Sequence, residues 1–170
     1  MGKIRGFEFV KRVENVKDKK LPMRSTKNSA GYDFFCVEDV EIPVSIEKVI
    51  YEKENSFGPP KTEVHPTLVR TGVKAYMQEN EVLYLFNRSS NPVKRGLVLA
   101  NSVGVVDSDY YNNPDNEGEI GFMFYNFSGE TVVLKKGDKI GQGLFSVYLK
   151  VDEEGSVFNI RKGGIGSTGE

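Results

Sequence analysis

Short stretches rich in Val, Ile, Phe, Tyr and Thr recur along the chain, separated by clusters of Gly, Pro, Asn and Asp. Segments of that kind read as β-strands. The pattern predicts them near 4–10 (IRGFEFV), 32–37 (YDFFCV), 67–77 (TLVRTGVKAYM), 81–87 (EVLYLFN), 96–100 (GLVLA), 119–125 (EIGFMFY), 130–134 (ETVVL), 140–149 (IGQGLFSVYL) and 156–160 (SVFNI). No segment keeps a helical apolar period over several turns, so long helices are not expected. Many short strands with turn residues between them predict an all-β sandwich or barrel. One short helix is expected in NRSSNPVKRG (87–96), where Asn91 can cap and Pro92 can take the first helical position. Residues 44–66, charged and carrying GPP at 58–60, read as a long loop. Residues 111–118 (YNNPDNEG) read as a turn-rich extension of a hairpin. The tail RKGGIGSTGE is Gly-rich and apolar-poor, and reads as a mobile arm (161–170) on a β domain spanning 1–160.

Composition narrows the function classes. A chain of 170 residues is long enough for one self-sufficient core. Lys and Arg total 23 against 24 Asp and Glu, a net charge of -1. Sequence-independent nucleic-acid binding needs a basic surface, so no nucleic-acid partner is expected. No apolar run approaches the ~20 residues of a bilayer span, so no membrane is expected either. The first twenty residues lack the apolar core of a secretion signal. Gly2 is followed by Gly6 where a myristoylation signal wants Ser or Thr. Cys36 and His65 are single representatives of their types. That excludes an intrachain disulfide, matches a cytoplasmic location, and rules out a Cys/His zinc cage. His65, in EVHPTL, has no neighbouring motif that would make a nucleophile pair with Cys36. The chemistry therefore falls to Asp, Glu, Ser, Thr, Tyr, Arg, Lys and the backbone.

Five segments offer such chemistry. In NRSS (87–90), Arg88 supplies a fork of donors and two serines precede a helix start, which makes a seat for phosphate. In NSVGVVDSDYY (101–111), a buried-looking VGVV strand delivers Asp107 at its end, a placement suited to a general base toward water. Tyr110, three residues on, can stack on a ligand ring. AGYDFF (30–35) sets Asp33 among aromatic strand residues; a carboxylate acting with a triphosphate implies Mg²⁺. KKGDKIGQGLF (135–145) reads as a tight turn into a strand that presents Gln142. The tail's GGIGST offers consecutive backbone N–H groups that can wrap an anion, with Arg161 and Lys162 beside them.

Taken together and in this order, AGYDFF, NRSSNPVKRG, LANSVGVVDSDY, KKGDKIGQ and GGIGSTG resemble the five motifs of the trimeric dUTPase family (deoxyuridine triphosphate nucleotidohydrolases). The resemblance implies a jelly-roll-like, distorted β-barrel, a homotrimer with active sites shared between chains, and Mg²⁺ as cofactor. It implies hydrolysis of dUTP to dUMP and pyrophosphate by in-line attack of water on the α-phosphorus. By the resemblance, Asp107 is the residue that activates the water. Tyr110 underlies the deoxyribose, and Asn101 and Val106 belong to the hairpin that binds uracil. Arg88, Ser89, Ser90 and Gln142 are phosphate-side contacts, and Asp33 holds the Mg²⁺ complex through water. Arg161, Gly164, Ile165, Gly166, Ser167 and Thr168 form a tail that closes over a neighbour's site.

Some positions depart from the family pattern. Asn87 stands where Pro is usual and Ser90 where Gly is usual. Tyr111 offers an alternative to Tyr110 under the sugar. Ile165 replaces the usual Phe that stacks on uracil, and Phe122 or Phe124 is the expected substitute. The rival dCTP deaminase reading lacks its catalytic Glu, whose place falls on Met123. A nucleotide-sensing module on the same scaffold, with 44–66 or 111–118 as protein-binding surfaces, is the alternative of a different class.

Overall fold

The computed structural model describes residues 2–50 and 61–153. Its strands, in chain order, are β1 (Gly6–Phe9), β2 (Tyr32–Phe35), β3 (Val40–Ile42), β4 (Ile46–Ile50), β5 (Lys61–Val64), β6 (Thr67–Arg70), β7 (Val73–Tyr76) and β8 (Glu81–Asn87). The one α-helix among the described residues, α1 (Ser90–Arg95), follows. Then come β9 (Leu97–Leu99), β10 (Val103–Asp107), a 3-10 turn (Ser108–Tyr110), β11 (Gly121–Asn126), β12 (Val132–Leu134) and β13 (Lys139–Val147). The chain is thus all-β with one short helix, as its pattern predicts. The strands lie in separate sheets: β10-β8-β13-β2, β6-β11-β9, and the pairs β1-β7, β12-β3 and β4-β5. Every pairing is antiparallel, and no closed barrel forms among the described residues.

The core sits between the two larger sheets. Phe34, Phe122 and Phe124 are fully buried there with Leu83, Leu97, Leu134 and Ile140. Phe34 meets Phe122 edge-on at 5.4 Å, and Phe122 stacks near Phe124 at 6.3 Å. Aromatic rings in such offset and edge arrangements add to the stabilisation from burial alone. Phe122 and Phe124 are 1% and 0% exposed, which overturns their expected role as a lid on uracil: neither ring has a face left for a ligand.

Other differences have local causes. The predicted strand 67–77 is two strands, because Gly72 adopts φ +70° and swings the chain from one sheet to another. At this break the Thr71 hydroxyl donates to the Ile120 carbonyl (2.7 Å), and the Gly72 amide, outside any ladder, donates to Glu119 Oε1 (2.8 Å). The predicted loop 44–66 contains the β4–β5 hairpin, and β3, unforeseen, pairs with β12. The helix starts one residue before the expected cap: Asn91 is its second residue, turned inward and 1% exposed. The VGVV strand is half-buried, with Val103 and Val105 exposed and Gly104 and Val106 buried. Residues 111–118 fold into a turn cluster around Asn113 instead of prolonging a strand pair. The predicted strand 156–160 and the arm 161–170 lie outside the described residues.

Candidate active site

β2, β8 and β13 are neighbours in one sheet, and their register sets the site. Gln142 lies opposite both Asp33 and Phe86, and Gly141 lies opposite Asn87. Arg88 and Ser89 follow directly where β8 ends. Three segments far apart in sequence are thereby brought to one cleft of about 210 Å³, lined by Asp33, Arg88, Ser89 and Gln142 together with Ser25 and Ser29. Gly31 lines it too: a Cβ there would sit 2.6 Å from Gln142 Oε1, so the AGYD glycine leaves the space that the glutamine amide occupies. A second hollow of about 420 Å³ shares Ser29, Gly31 and Gln142 and runs on over Phe86 and Leu144.

The electrostatics suit an anion. Asp33 Oδ2 accepts from Lys139 Nζ (2.7 Å) and from the Ser25 hydroxyl (2.5 Å), while Oδ1 lies 3.7 Å from Arg88 Nε. Partial burial works to raise the Asp33 pKa. The hydrogen bonds from Lys139 and Ser25 and the charges of Lys139 and Arg88 outweigh it and hold this carboxyl below the ordinary aspartate value. One carboxylate thus stands against two cations, which leaves the cleft with excess positive charge. Arg88 Nη1 also donates to the Lys139 carbonyl at 3.3 Å, tying the end of β8 to β13. Lys139, Ser25 and Ser29 were missed in the sequence. Lys139 is hidden in the charge run KKGDK, which reads as a solvated turn; strand alternation from Gln142 does not point to it either, because a bulge lies between Lys139 and Gly141.

Asp107 lies elsewhere. It ends β10, exposed, directly opposite Val82 at the start of β8, whereas Arg88 stands beyond the other end of that strand. Six residues of strand separate the two levels, a span of about 20 Å. Asn101 is exposed in the turn joining β9 to β10. That turn carries the chain between sheets: β9 pairs with β11 and β10 with β8, so the two strands are not a ladder pair among the described residues. Val106 faces the core at 7% exposure, and Ser90 opens α1. Tyr110 is also 7% exposed; its hydroxyl donates to the Glu119 carbonyl (3.1 Å) and accepts from Asn116 Nδ2 (2.8 Å). Tyr111 is taken up by the β1–β7 side: its hydroxyl donates to Glu8 Oε2 (2.6 Å), with Lys74 Nζ 5.1 Å above its ring. The hydrogen bond to Glu8 pushes its pKa up. Arg161, Gly164, Ile165, Gly166, Ser167 and Thr168 lie outside the described residues.

Cys36 is 2% exposed, and burial pushes its thiol up to about 11, which removes it as a nucleophile. Glu119, 3% exposed, receives hydrogen bonds from Arg12, Arg70 (3.0 Å) and the Gly72 amide (2.8 Å). Burial works to raise its pKa, but the Arg12 and Gly72 bonds and the cationic charge outweigh that and hold it low. This cluster fastens the N-terminal segment to the turn that carries Tyr110.

The fold and cleft define an all-β protein with a cationic, phosphate-sized hollow where three strands meet, and comparison with known proteins places it further. The dUTPase family model matches residues 59–169. The deoxyuridine 5'-triphosphate nucleotidohydrolase of Lactococcus lactis subsp. lactis (strain IL1403) is 48% identical over 98% of this chain and 99% of its own length. That of Hydrogenobaculum sp. (strain Y04AAS1) is 31% identical over 89% and 92%. The crystal structure of the dUTPase from Streptococcus mutans covers 87% of this chain and 99% of its own, with 45% identity and a TM-score of 0.68. The chain belongs to the dUTPase family, and its enzymatic class is that of the family, dUTP diphosphatase.

Proposed function

We propose that this chain hydrolyses dUTP to dUMP and pyrophosphate, with the phosphate seat of one chain completed by Asp107 of another in a homotrimer. The observation that carries this reading is the separation along β8. Arg88, Ser89, Gln142 and Asp33 converge, while Asp107 stands about 20 Å away, and a general base must come within hydrogen-bond reach of the water it activates. A second copy resolves the mismatch. The outer face of the β10-β8-β13-β2 sheet supports such association: Val105, Tyr84 and Leu144 lie in register beside Val103 and Phe86, an apolar face that a partner would cover.

In this reading Arg88 and Ser89 bind phosphate oxygens and Gln142 donates its side-chain amide. Lys139 keeps Asp33 ionised and positioned. The residues fit a Mg²⁺ ion held chiefly by the triphosphate: Asp33 Oδ2 is committed to Lys139 and Ser25, whereas Oδ1 keeps capacity to accept from a metal-bound water. No cluster of three metal-ligating side chains exists among the described residues, so a protein-caged metal is not implied. Mg²⁺ bound with the nucleotide neutralises phosphate charge. Asp107 takes the proton of the attacking water. Tyr110, its ring fixed by two hydrogen bonds at the hydroxyl, stands under the deoxyribose, and the turn at Asn101 reads the base. Uracil and cytosine present opposite donor and acceptor patterns at N3 and position 4, so the wrong base leaves buried groups unpaired. The 161–170 arm, with Arg161, Ser167 and Thr168, covers the phosphates.

Pyrophosphate release from dUTP, dCTP, dTTP and UTP, with and without Mg²⁺, tests the reading. We expect turnover of dUTP above the others. Asp107→Asn should lower kcat by about 10²–10⁴-fold while a non-hydrolysable dUTP analogue still binds. Nucleotide binding by the unaltered protein without pyrophosphate release would favour the sensing module, and parallel loss of binding and turnover in Asp107→Asn would contradict the role of Asp107.

A further inference from the structure

Asn91 lies in the middle of the joint between the phosphate seat and the strand behind it. It is 1% exposed, the second residue of α1, and its Nδ2 donates both to Asn87 Oδ1 (2.8 Å) and to the Ile140 carbonyl (2.8 Å). Its backbone N–H bonds to the Arg88 carbonyl at 3.0 Å, and Asn87 Nδ2 in turn holds the Leu97 carbonyl at 3.0 Å. One residue thus holds three things at once: through Nδ2 the end of β8 just before Arg88 and β13 between Lys139 and Gln142, and through its backbone N–H the loop carrying Ser89.

The same side chain carries a conflict. Its Oδ1 is buried and makes no hydrogen bond among the described residues, and neither does the buried Nη1 of Arg95, one helical turn further on. A buried polar atom without a partner is destabilising, and leucine of similar size would carry no such cost. An amide that is poor for the core but well bonded through Nδ2 is placed for what Nδ2 holds, and local conflicts of this kind concentrate at functional sites.

We infer that Asn91 is a positioning residue for the triphosphate seat: through Nδ2 it fixes Arg88 and Ser89 against Gln142. The inference rests on the dUTP hydrolysis proposed above. The seat binds phosphate oxygens in the ground state and in the transition state alike, so loosening it acts on KM more than on kcat. Asn126 supplies an internal control. It is 0% exposed, and its Nδ2 also makes two hydrogen bonds, in its case to the backbone carbonyls of Ile42 and Glu130, both at 2.8 Å, but it lies away from the cleft.

Steady-state pyrophosphate release from dUTP is measured for the full chain, for Asn91→Ala, for Asn126→Ala and for Asn87→Ala, with melting temperatures at matched protein concentration. Asn91→Ala should raise KM about tenfold, short of the ~10²-fold that a misplacement of 1 Å can bring, with kcat within about twofold. Asn87→Ala, which removes one of the two acceptors, should move KM the same way by less. It stands in for Asn91→Ala if that variant does not fold. Asn126→Ala should lower the melting temperature and leave KM in place. The positioning role is overturned if KM stays put in a folded Asn91→Ala or Asn87→Ala, or if Asn126→Ala raises KM equally. Absence of dUTP turnover in the unaltered protein overturns the functional reading itself, an outcome distinct from either.

Discussion

Gly141→Ala puts the packing behind the site to a quantitative test. Gly141 precedes Gln142 on β13, at the point where the ladder to β2 shifts register. A Cβ built there would lie 2.5 Å from Cδ1 and Cζ of Phe122. Carbon atoms settle at about 3.5–4.0 Å, so the ring or the strand must yield by about 1 Å or more. The ring has little freedom: Phe122 is 1% exposed, with Phe34 at its edge and Phe124 beside it. Overpacking a filled core costs about 1–3 kcal/mol. For a domain of this size each kcal/mol lowers Tm by about 2–4 °C, so the expected fall is about 2–12 °C. Calorimetry at fixed protein concentration measures it, since association makes Tm concentration-dependent. Phe122→Leu, which trims the ring, should cost stability alone yet cost less in the Gly141→Ala background, because residues in contact couple. A Tm unchanged by Gly141→Ala, or purely additive losses in the double variant, would refute the packing argument.

Two further outcomes follow from the charges and the arm. Glu119→Gln removes a buried carboxylate from Arg12 and Arg70 and should cost about 2 kcal/mol at neutral pH, read by urea unfolding. Because the Glu119 pKa is lowered in the folded protein, its contribution is complete above the ordinary glutamate range of about 4.3 and is lost as pH falls through its own lower value. The gap between the unaltered protein and Glu119→Gln should therefore narrow only in acid; a gap that widens there would contradict the ion-pair assignment. Deleting 161–170 should cut pyrophosphate release while leaving Tm within a few degrees, and a collapse of Tm would make the arm structural.

Some of this was legible in the sequence for plain reasons. Asp33 and Gln142 are polar positions inside apolar or glycine-flanked strands, and Arg88 and Ser89 stand between a strand end and a helix start, where polar side chains have few structural duties. What the chain could not show is which face of a strand is covered. Phe122 and Phe124 alternate with Gly121 and Met123, a pattern that fits either face, and the second sheet decides it. Lys139 was obscured because a charge run looks alike whether solvated or folded over Asp33. Asn91, before a proline, reads as a helix cap; its inward turn depends on the Ile140 carbonyl, 49 residues away. The β4–β5 hairpin was obscured by the charged positions Glu47, Lys48, Lys61 and Glu63 within it, which local pattern does not separate from loop.

The central claim, that seat and carboxylate come from different chains, is tested most directly by mixing two inactive variants. Asp107→Asn keeps an intact seat and Arg88→Ala keeps an intact carboxylate. When the two chains are refolded together in equal amounts, random trimers should regain about one quarter of the unaltered turnover, the share of sites that join an intact seat to an intact neighbour. Activity no higher in the mixture than in the separate variants would place both groups in one chain and contradict the account.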